Sequence, residues 1–407
     1  MDNVTHALAG MLVAEAVCVA RREQRHAVRA AAYLVSALAN NLPDLDIAYV
    51  WITGPRPLGS LLHHRGHTHT LLLALPAAWL LGLVVWRWFA RHHAEAASVR
   101  ERRLFLGLAL GGVVLHLAMD FGNNYGVHPF WPLSSRWFYG DSIFIVEPLW
   151  WAIAIPVLAP VLRRRWLTLT LWVLLAAVLV VCWFVPFVST TTRFTLLAVT
   201  ALAAWTGQRA PERWRIGLGL AASLAVPLLF ALASTRAKAS LREATRAAFP
   251  ALSVLDISTT PLPANPMCWE GLVAGEQGGS YRVLRATVAL GSGPAEACTA
   301  GMDVEPTAPV TPLARASRAG VRWLNAYSAD IAELTQLRRR DCRFRALLQF
   351  ARLPYVAPAR QIAGDLRYDR QPALDFSDVP LPRDPGSGQC PRWLPGWTEP
   401  RAELFQQ

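Results

Sequence analysis

Long runs of apolar residues recur through the first 234 residues of the chain, and polar or basic residues separate them. A helix needs about 20 consecutive apolar residues to cross the bilayer core, and most of these runs reach or approach that length. The pattern therefore predicts a polytopic bundle of about eight transmembrane helices, over residues 4–20, 27–40, 70–90, 104–120, 143–162, 166–187, 193–207 and 216–234.

Arginine is distributed unequally between the connections of these helices. The alternate connections 21–29, 87–103, 163–165 and 209–215 contain fifteen arginines, whereas the remaining connections contain four. Because basic loops stay in the cytoplasm, we expect the arginine-rich connections inside and, with eight crossings, both termini outside. The basic stretch 236–246 counts mildly against this orientation, but long trailing domains obey the rule less strictly.

The last part of the chain has a different character, with more Pro and Gly and no long apolar runs. Residues 267–290 alternate like two strands around a Gly-rich turn, and the stretch that ends at Arg340 has helical spacing. Residues 342–353 and 361–369 resemble further strands. The predicted fold is therefore mainly α, with a transmembrane domain over 1–234 and a soluble α+β domain with a Pro-rich tail over 235–407.

Composition strengthens the membrane interpretation. The chain is 53% hydrophobic with a mean hydropathy of +0.27, which is too apolar for an average soluble protein. The net charge of +12 could indicate a nucleic-acid partner, but the arginines flank apolar runs. We therefore expect the lipid bilayer as the partner and no nucleic acid.

The cysteines are concentrated in the predicted C-terminal domain, which contains Cys268, Cys298, Cys342 and Cys390. If this domain faces an oxidising compartment, one or two disulfides are expected. Free, partly buried thiols are the equal alternative.

Histidine is confined to one part of the chain. All 10 histidines lie in the first 128 residues, and four of them lie in the stretch HHRGHTHT, residues 63–70. The stretch is not a run of histidines at a terminus, which argues against an expression tag. It is either a solvated loop or part of a metal site.

The predicted topology brings several ionisable residues to the outer membrane face. His6 lies at the outer end of the first helix, Asp44 and Asp46 lie in the first outer loop, and the His-rich stretch closes that loop. His116 and Asp120 lie at the outer end of the fourth helix, four residues apart, which places both on one helix face. Mixed His and Asp ligands suit Zn, Mn or Fe, and so large a set suits two or three ions that activate water.

Each of these elements taken singly has an ordinary structural explanation, such as a polar turn or an interfacial histidine. Ionisable residues near membrane depth are costly, however, and they usually mark function. Their convergence on one face, predicted from arginines elsewhere in the chain, favours the metal site.

With these residues in view, the chain resembles the LexA-regulated, membrane-bound predicted metal-dependent hydrolases of the YdjM type. The matching pieces are His6 in the first helix, PDLD, HHRGHTHTLL and HLAMDFGNNYGVHPFWP. The segment after Asn123 is similar to a subgroup with an extra C-terminal domain, which usually has Asp-Pro where this chain has Glu147-Pro148. The loop motif of the family falls on His64, Arg65, Gly66, Thr68 and His69.

The resemblance implies a hydrolase in which metal-activated water attacks a phosphoester or acyl ester of a lipid or envelope substrate at the outer face of the bacterial inner membrane. Arg65 would stabilise developing negative charge or hold Asp44 or Asp46 in place. The alternatives are a metal-binding transporter or sensor without hydrolysis, and a structural protein whose polar cluster packs the bundle. The expected metal ligands are His6, Asp44, Asp46, His64, His69, His116 and Asp120, and the expected catalytic residues are Arg65 and Glu147.

The arginine asymmetry generates a prediction of topology. Alkaline phosphatase is active only after export, so a fusion to the C-terminus should be active, because that terminus is expected outside. An inactive fusion, together with an active cytoplasmic reporter at the same position, would reject the orientation.

Overall fold

The computed structural model describes residues 1–53, 57–291, 295–298, 305–313, 320–372, 375–382 and 389–405. The chain begins with a bundle of helices and continues into a β-rich C-terminal part. The helices of the first part are α1 (Asn3–Ala20), α2 (His26–Ala39), α3 (Val50–Thr53), α4 (Leu58–His63), α5 (Leu71–His92), α6 (Val99–Phe121), α7 (Pro148–Leu158), α8 (Arg165–Phe184), α9 (Thr190–Arg209) and α10 (Glu212–Ala248).

Within the described residues, five helices are long and apolar enough to cross a membrane, namely α1, α5, α6, α8 and α10. Helices α2 and α7 are apolar but shorter, and α9 does not meet the same criteria. Each of the eight predicted segments is helical, but the predicted count of about eight spans is not confirmed. Many large apolar side chains on these helices are exposed, as expected of surfaces that face lipid.

Two glycines allow three helices to approach closely beside the ends that carry the predicted ligands. A Cβ on Gly10 of α1 would lie 2.7 Å from the carbonyl oxygen of Ser36 in α2, and a Cβ on Gly112 of α6 would lie 2.8 Å from the Cβ of Ala39. Small residues are common where membrane helices touch, because they let the backbones come together. This packing brings the start of α1 and the end of α6 to the end of α2.

The C-terminal part contains two antiparallel sheets. The strand order is β1-β2-β3-β5-β4 in the larger sheet and β6-β7-β8 in the smaller one. Two short helices, α11 (Ile331–Arg340) and α12 (Cys342–Leu347), connect the sheets. The strands are β1 (Ser253–Leu262), β2 (Asn265–Gln277), β3 (Ser280–Ala289), β4 (Val310–Pro312), β5 (Val321–Asp330), β6 (Pro354–Ala357), β7 (Ile362–Asp365) and β8 (Val379–Pro380).

Some of the elements expected in this part are found and others are not. The two strands around Gly278 and Gly279 form a hairpin, with both glycines at positive φ. The predicted helix ending at Arg340 is wrong in its first half, where β5 pairs with β3 before Asp330 caps α11. The predicted strand after Asp341 is instead the helix α12, because the Asp341 side chain accepts the N–H groups of the first turn.

Helix α10 links the two parts and runs through the predicted boundary at residue 234. Its C-terminal half packs against β1 and β2. The side chain of Leu241 occupies the space beside Gly271, where a Cβ would lie 2.4 Å from Leu241. The change from helical to β structure therefore occurs at Ser253, and the division of the chain at 234 stays a prediction.

Buried ion pairs hold the β-rich part to the loop between α6 and α7. Arg352 lies 2.7 Å from both Asp141 and Asp256. Arg367 pairs with Asp365 at 2.6 Å and also donates hydrogen bonds to carbonyl oxygens of that loop. Removing one partner of such a pair typically costs about 3–5 kcal/mol, so these contacts fix the β-rich part against the end of the helix bundle.

The sequence left disulfides and free thiols as alternatives for the C-terminal cysteines, and the structure contains two disulfides. Cys268 is bonded to Cys298, and Cys342 is bonded to Cys390. The remaining two, Cys18 and Cys182, are buried free thiols in α1 and α8.

This pairing predicts the result of thiol counting. Under denaturing conditions without reductant, two of the six cysteines should react, because the other four are in disulfides. Reductant added before labelling should raise the count to six. Six reactive thiols without reductant would show that neither bond forms in the purified protein.

Candidate metal centre

The seven predicted ligands lie in one contiguous cluster at the end of the helix bundle. They come from four segments that are distant in sequence: the start of α1, the 3₁₀ turn Pro43–Ala48, the loop after α4 with the 3₁₀ turn His67–His69, and the end of α6. The structure brings these side chains together, and metal binding by them stays a prediction. The members are His6, Asp44, Asp46, His64, His69, His116 and Asp120.

Four of these side chains direct one ligand atom each toward a common point. The Nε2 atoms of His69 and His116 are 3.1 Å apart. Asp120 Oδ2 lies 3.4 Å from the first and 3.3 Å from the second, and Asp44 Oδ1 lies 3.3 Å and 3.7 Å from them. Ligands about 2.1 Å from one tetrahedral ion are about 3.4 Å from one another. These five separations are therefore close to those expected at a tetrahedral site.

The Nδ1 atom of each imidazole has a partner that determines which ring nitrogen carries a proton. His116 Nδ1 lies 2.8 Å from the carbonyl oxygen of Asn40, which can only accept a hydrogen bond. His69 Nδ1 lies 3.3 Å from Asp46 Oδ2. Each partner keeps a proton on Nδ1, so the two Nε2 atoms are the ring atoms directed toward each other and toward two carboxylates. Metal-binding histidines usually have such partners.

A second group of possible ligands shares a residue with the first. Asp44, Asp46 and His64 also bring ligand atoms within 4.8 Å of one another, and His64 Nδ1 lies 2.9 Å from Asp46 Oδ1. The His64 side chain is 25% exposed, whereas Asp46 is fully buried. The cluster is therefore most accessible at His64, and Asp44 is the carboxylate common to both groups.

His6 lies against the first group without belonging to it. Its ring stacks on His116 with 4.0 Å between centroids, and its Nε2 lies 3.4 Å from Asp120 Oδ1. Both of its ring nitrogens and Asp120 Oδ2 are buried without a hydrogen-bond partner among the described residues. Buried polar atoms are rarely left unpaired, and a cation among these atoms would satisfy them, so the residues present fit a metal ion.

Arg65 holds two of the carboxylates and adopts an uncommon backbone conformation to do so. Its φ is +58°, a region that costs a non-glycine residue on the order of 1–3 kcal/mol. Its N–H donates to Asp46 Oδ2 at 2.9 Å, and its Nη2 lies 3.1 Å from Asp120 Oδ1. The guanidinium also covers the ring of Tyr125 at 4.6 Å. The side chain is therefore engaged with Asp120, whereas the sequence led us to expect that Arg65 stabilises charge on the substrate or holds Asp44 or Asp46.

Glycine is required directly after Arg65. A Cβ on Gly66 would lie 2.5 Å from the carbonyl oxygen of His63, so another residue would force the loop open.

Asn40, Asn123 and Tyr125 support the site but were not identified as site residues from the sequence. Their only sequence signal is proximity to the PDLD and HLAMD motifs.

Glu147, expected to be catalytic, is placed elsewhere. Its carboxylate accepts hydrogen bonds from the N–H of Leu149 at 3.1 Å and of Ala264 at 3.3 Å. It caps α7 and holds the turn between β1 and β2. No contact described in the structure joins it to the cluster, because its side chain is directed toward the β-rich part.

The other histidines of the loop pack against tryptophans of the C-terminal tail. His63 lies 5.0 Å from the ring of Trp393, and His67 lies 4.9 Å from the ring of Trp397. The indole of Trp397 also donates to the carbonyl oxygen of Leu62 at 2.9 Å. The tail therefore supports the outside of the ligand loop.

Neighbouring carboxylates raise the pKa of His69. Burial by itself would lower the pKa of His69, but hydrogen bonds to Asp120, Asp44 and Asp46 raise it to about 10. Burial would raise the pKa of Asp44, but His69 and His116 lower it to about 2. In the absence of metal the cluster therefore retains a proton on His69 at neutral pH, and an ion would have to displace it.

One comparison with known proteins gives a result for this part of the chain. The family model of the YdjM inner membrane protein matches residues 1–191. This confirms the family resemblance expected from the sequence over that range, which includes all seven predicted ligands. No curated protein and no solved structure matches the chain.

The geometry predicts which substitutions release metal. His116→Ala should remove most of the bound metal, because loss of even an outer partner typically costs about 10–100-fold in affinity. His64→Ala should remove only part of the bound metal, because His64 belongs only to the second group of ligands. Metal per chain would be measured by elemental analysis at matched expression.

The controls are His63→Ala, next to His64 but outside both groups, and His92→Ala, exposed at the far end of α5. Both should keep the metal content of the unaltered chain. Equal content in all four variants would identify the cluster as a loop without bound metal.

Proposed function

Since residues 1–191 match the YdjM inner membrane protein family, we propose that the protein is a metal-dependent hydrolase of the inner membrane. Its substrate is a phosphoester or acyl ester of a lipid or another envelope component, cleaved at the outer face. The observation that carries the proposal is the convergence of Asp44, His69, His116 and Asp120 on one point.

The donor set suits Zn, and Mn or Fe are the alternatives, because imidazole and carboxylate ligands are mixed and cysteine is absent. The two groups, which share Asp44, would hold two ions. Such ions would supply a water nucleophile at neutral pH and polarise the ester oxygen.

The residues of the chain perform the remaining tasks. Asn40 and Asp46 orient the two imidazoles, and Arg65 orients Asp120. The Arg65 guanidinium is engaged with Asp120 and Asn123, which favours a positioning role over direct stabilisation of the substrate. His64 is the most accessible of these side chains, so the substrate would approach from its side.

Two independent features support the proposed orientation. The arginine-rich connections favour an outer location for the cluster. The C-terminal part, which touches the same end of the bundle through Arg352 and Asp141, contains two disulfides, and disulfides persist in oxidising compartments.

A transporter or sensor that binds metal without hydrolysis is the alternative. Transport sites in membranes are commonly built from interrupted helices. Helix α6 continues without a break from Val99 to Phe121 and carries both His116 and Asp120. This continuity favours a rigid catalytic site over a transport path.

Elemental analysis joined to a hydrolase panel tests the proposal. The purified full chain should contain metal and release product from at least one phospholipid or acyl ester. Asp120→Asn should abolish both metal and turnover, because the amide keeps the size of the side chain but loses the charge. Glu95→Gln, an exposed carboxylate at the other end of the bundle, is the matched control and should change neither.

The outcomes separate the classes. Metal without turnover on any substrate would favour the transporter or sensor. A chain without metal would reject both that alternative and the hydrolase.

A further inference from the structure

A groove with a volume of about 250 Å³ lies between four helices of the bundle. Helix α7 contributes Trp150 and Ala154 to its wall. The other helices contribute Leu8 and Leu12 of α1, Leu115 and Ala118 of α6, and Leu220 and Leu224 of α10.

The wall of the groove consists mainly of apolar side chains, and two polar groups beside it are paired, whereas the Ser223 hydroxyl is buried without a hydrogen-bond partner among the described residues. Pro227 lies inside α10, and a proline leaves the carbonyl four residues earlier without its helical partner. That carbonyl, of Ser223, accepts a hydrogen bond from Trp150 Nε1 at 2.9 Å. The hydroxyl of Thr5 likewise accepts from Trp151 Nε1 at 2.8 Å. The backbone break in α10 is thereby satisfied, and the groove presents hydrocarbon.

The groove opens toward the side of the bundle that faces lipid. Leu224 lines it and is 54% exposed, and Ala118 lines it and is also exposed. Three of the four surrounding helices, α1, α6 and α10, are apolar enough to cross a membrane. At this depth hydrocarbon chains are the surrounding solvent, so a lipid chain can enter from the side.

One end of the groove lies next to the metal-ligand cluster. Thr5 lines the groove and directly precedes His6, and Met119 lines it and directly precedes Asp120. Both helices therefore carry groove residues and cluster residues within one turn. A molecule whose chain lies in the groove would have its polar end at the ligands.

We propose that this groove binds one hydrocarbon chain of a membrane lipid and places the ester of that lipid at the cluster. The substrate class is then a lipid that remains in the bilayer, not a water-soluble ester. This inference rests on the proposed hydrolase function for its catalytic meaning, although chain binding can be measured without it.

The test uses the full chain in vesicles of phosphatidylethanolamine and phosphatidylglycerol. A small fraction of the phosphatidylglycerol carries a photoreactive diazirine at the end of one acyl chain. After illumination, mass spectrometry identifies the labelled residues. Labelling should concentrate several-fold on Leu115, Leu220 and Leu224, compared with Leu169 of α8, which is 66% exposed to lipid but lies outside the groove.

A pair of matched substitutions separates the groove from the general lipid surface. Ala118→Phe fills the groove and should reduce its labelling several-fold. Ala225→Phe adds the same side chain at an exposed position of α10 that does not line the groove, and it should change nothing. Ala9→Leu fills the groove from α1 and provides a second variant, with thermal unfolding measured for all three.

The result for the groove is distinguishable from that for the hydrolase. His116→Ala should lose metal and turnover while keeping the labelling pattern, because His116 does not line the groove. Labelling of the groove in the unaltered chain, together with no turnover of any substrate by that same chain, would support the groove and reject the hydrolase. Uniform labelling that neither Ala118→Phe nor Ala9→Leu changes, or cross-links that join two chains across the groove, would overturn the inference.

Discussion

The carboxylate of Asp120 is 1% exposed at the end of a helix that is apolar enough to cross a membrane, and most of the site is arranged around its negative charge. An isolated charge in such a place is very costly. Asp120 is accordingly surrounded by His6, His69, His116 and Arg65, and the amino group of Met1 also contacts it. These partners come from the start of α1, from the His-rich loop and from α6 itself, so compensation of one charge draws α1, α6 and the His-rich loop together.

The same constraint explains the uncommon backbone of the loop. In the left-handed conformation Arg65 reaches Asp120 with its side chain and Asp46 with its N–H, and Gly66 passes close to the carbonyl of His63. The tail tryptophans and the buried pairs of Arg352 and Arg367 brace this end of the bundle. The C-terminal part thus supports a strained loop that the membrane helices alone would leave uncovered.

The apolar groove next to the cluster connects the membrane character of the chain to its proposed function. Under the proposed function, a site at the end of membrane helices, accessible at His64 and next to a groove lined by Thr5 and Met119, would meet an ester at the interface while the chain of that ester stays in hydrocarbon. The proline in α10 contributes to this geometry, because the tryptophan that satisfies the freed carbonyl also forms part of the groove wall.

Much of this could be predicted from the sequence, because the signals involved are local or nearly so. Apolar runs predicted all eight helical segments, four-residue spacing placed His116 with Asp120, and the hairpin followed from alternation around Gly278 and Gly279. The sequence could not decide between helix and strand after Asp341, because caps and pairing partners override such short patterns. It also assigned Glu147 to the site from a motif, although the side chain caps α7. The spacing of His69, His116, Asp44 and Asp120 depends on how closely α1 and α6 pack on α2, which Gly10 and Gly112 permit. Such distances arise from contacts between segments far apart in the chain, so only the tertiary structure could determine them.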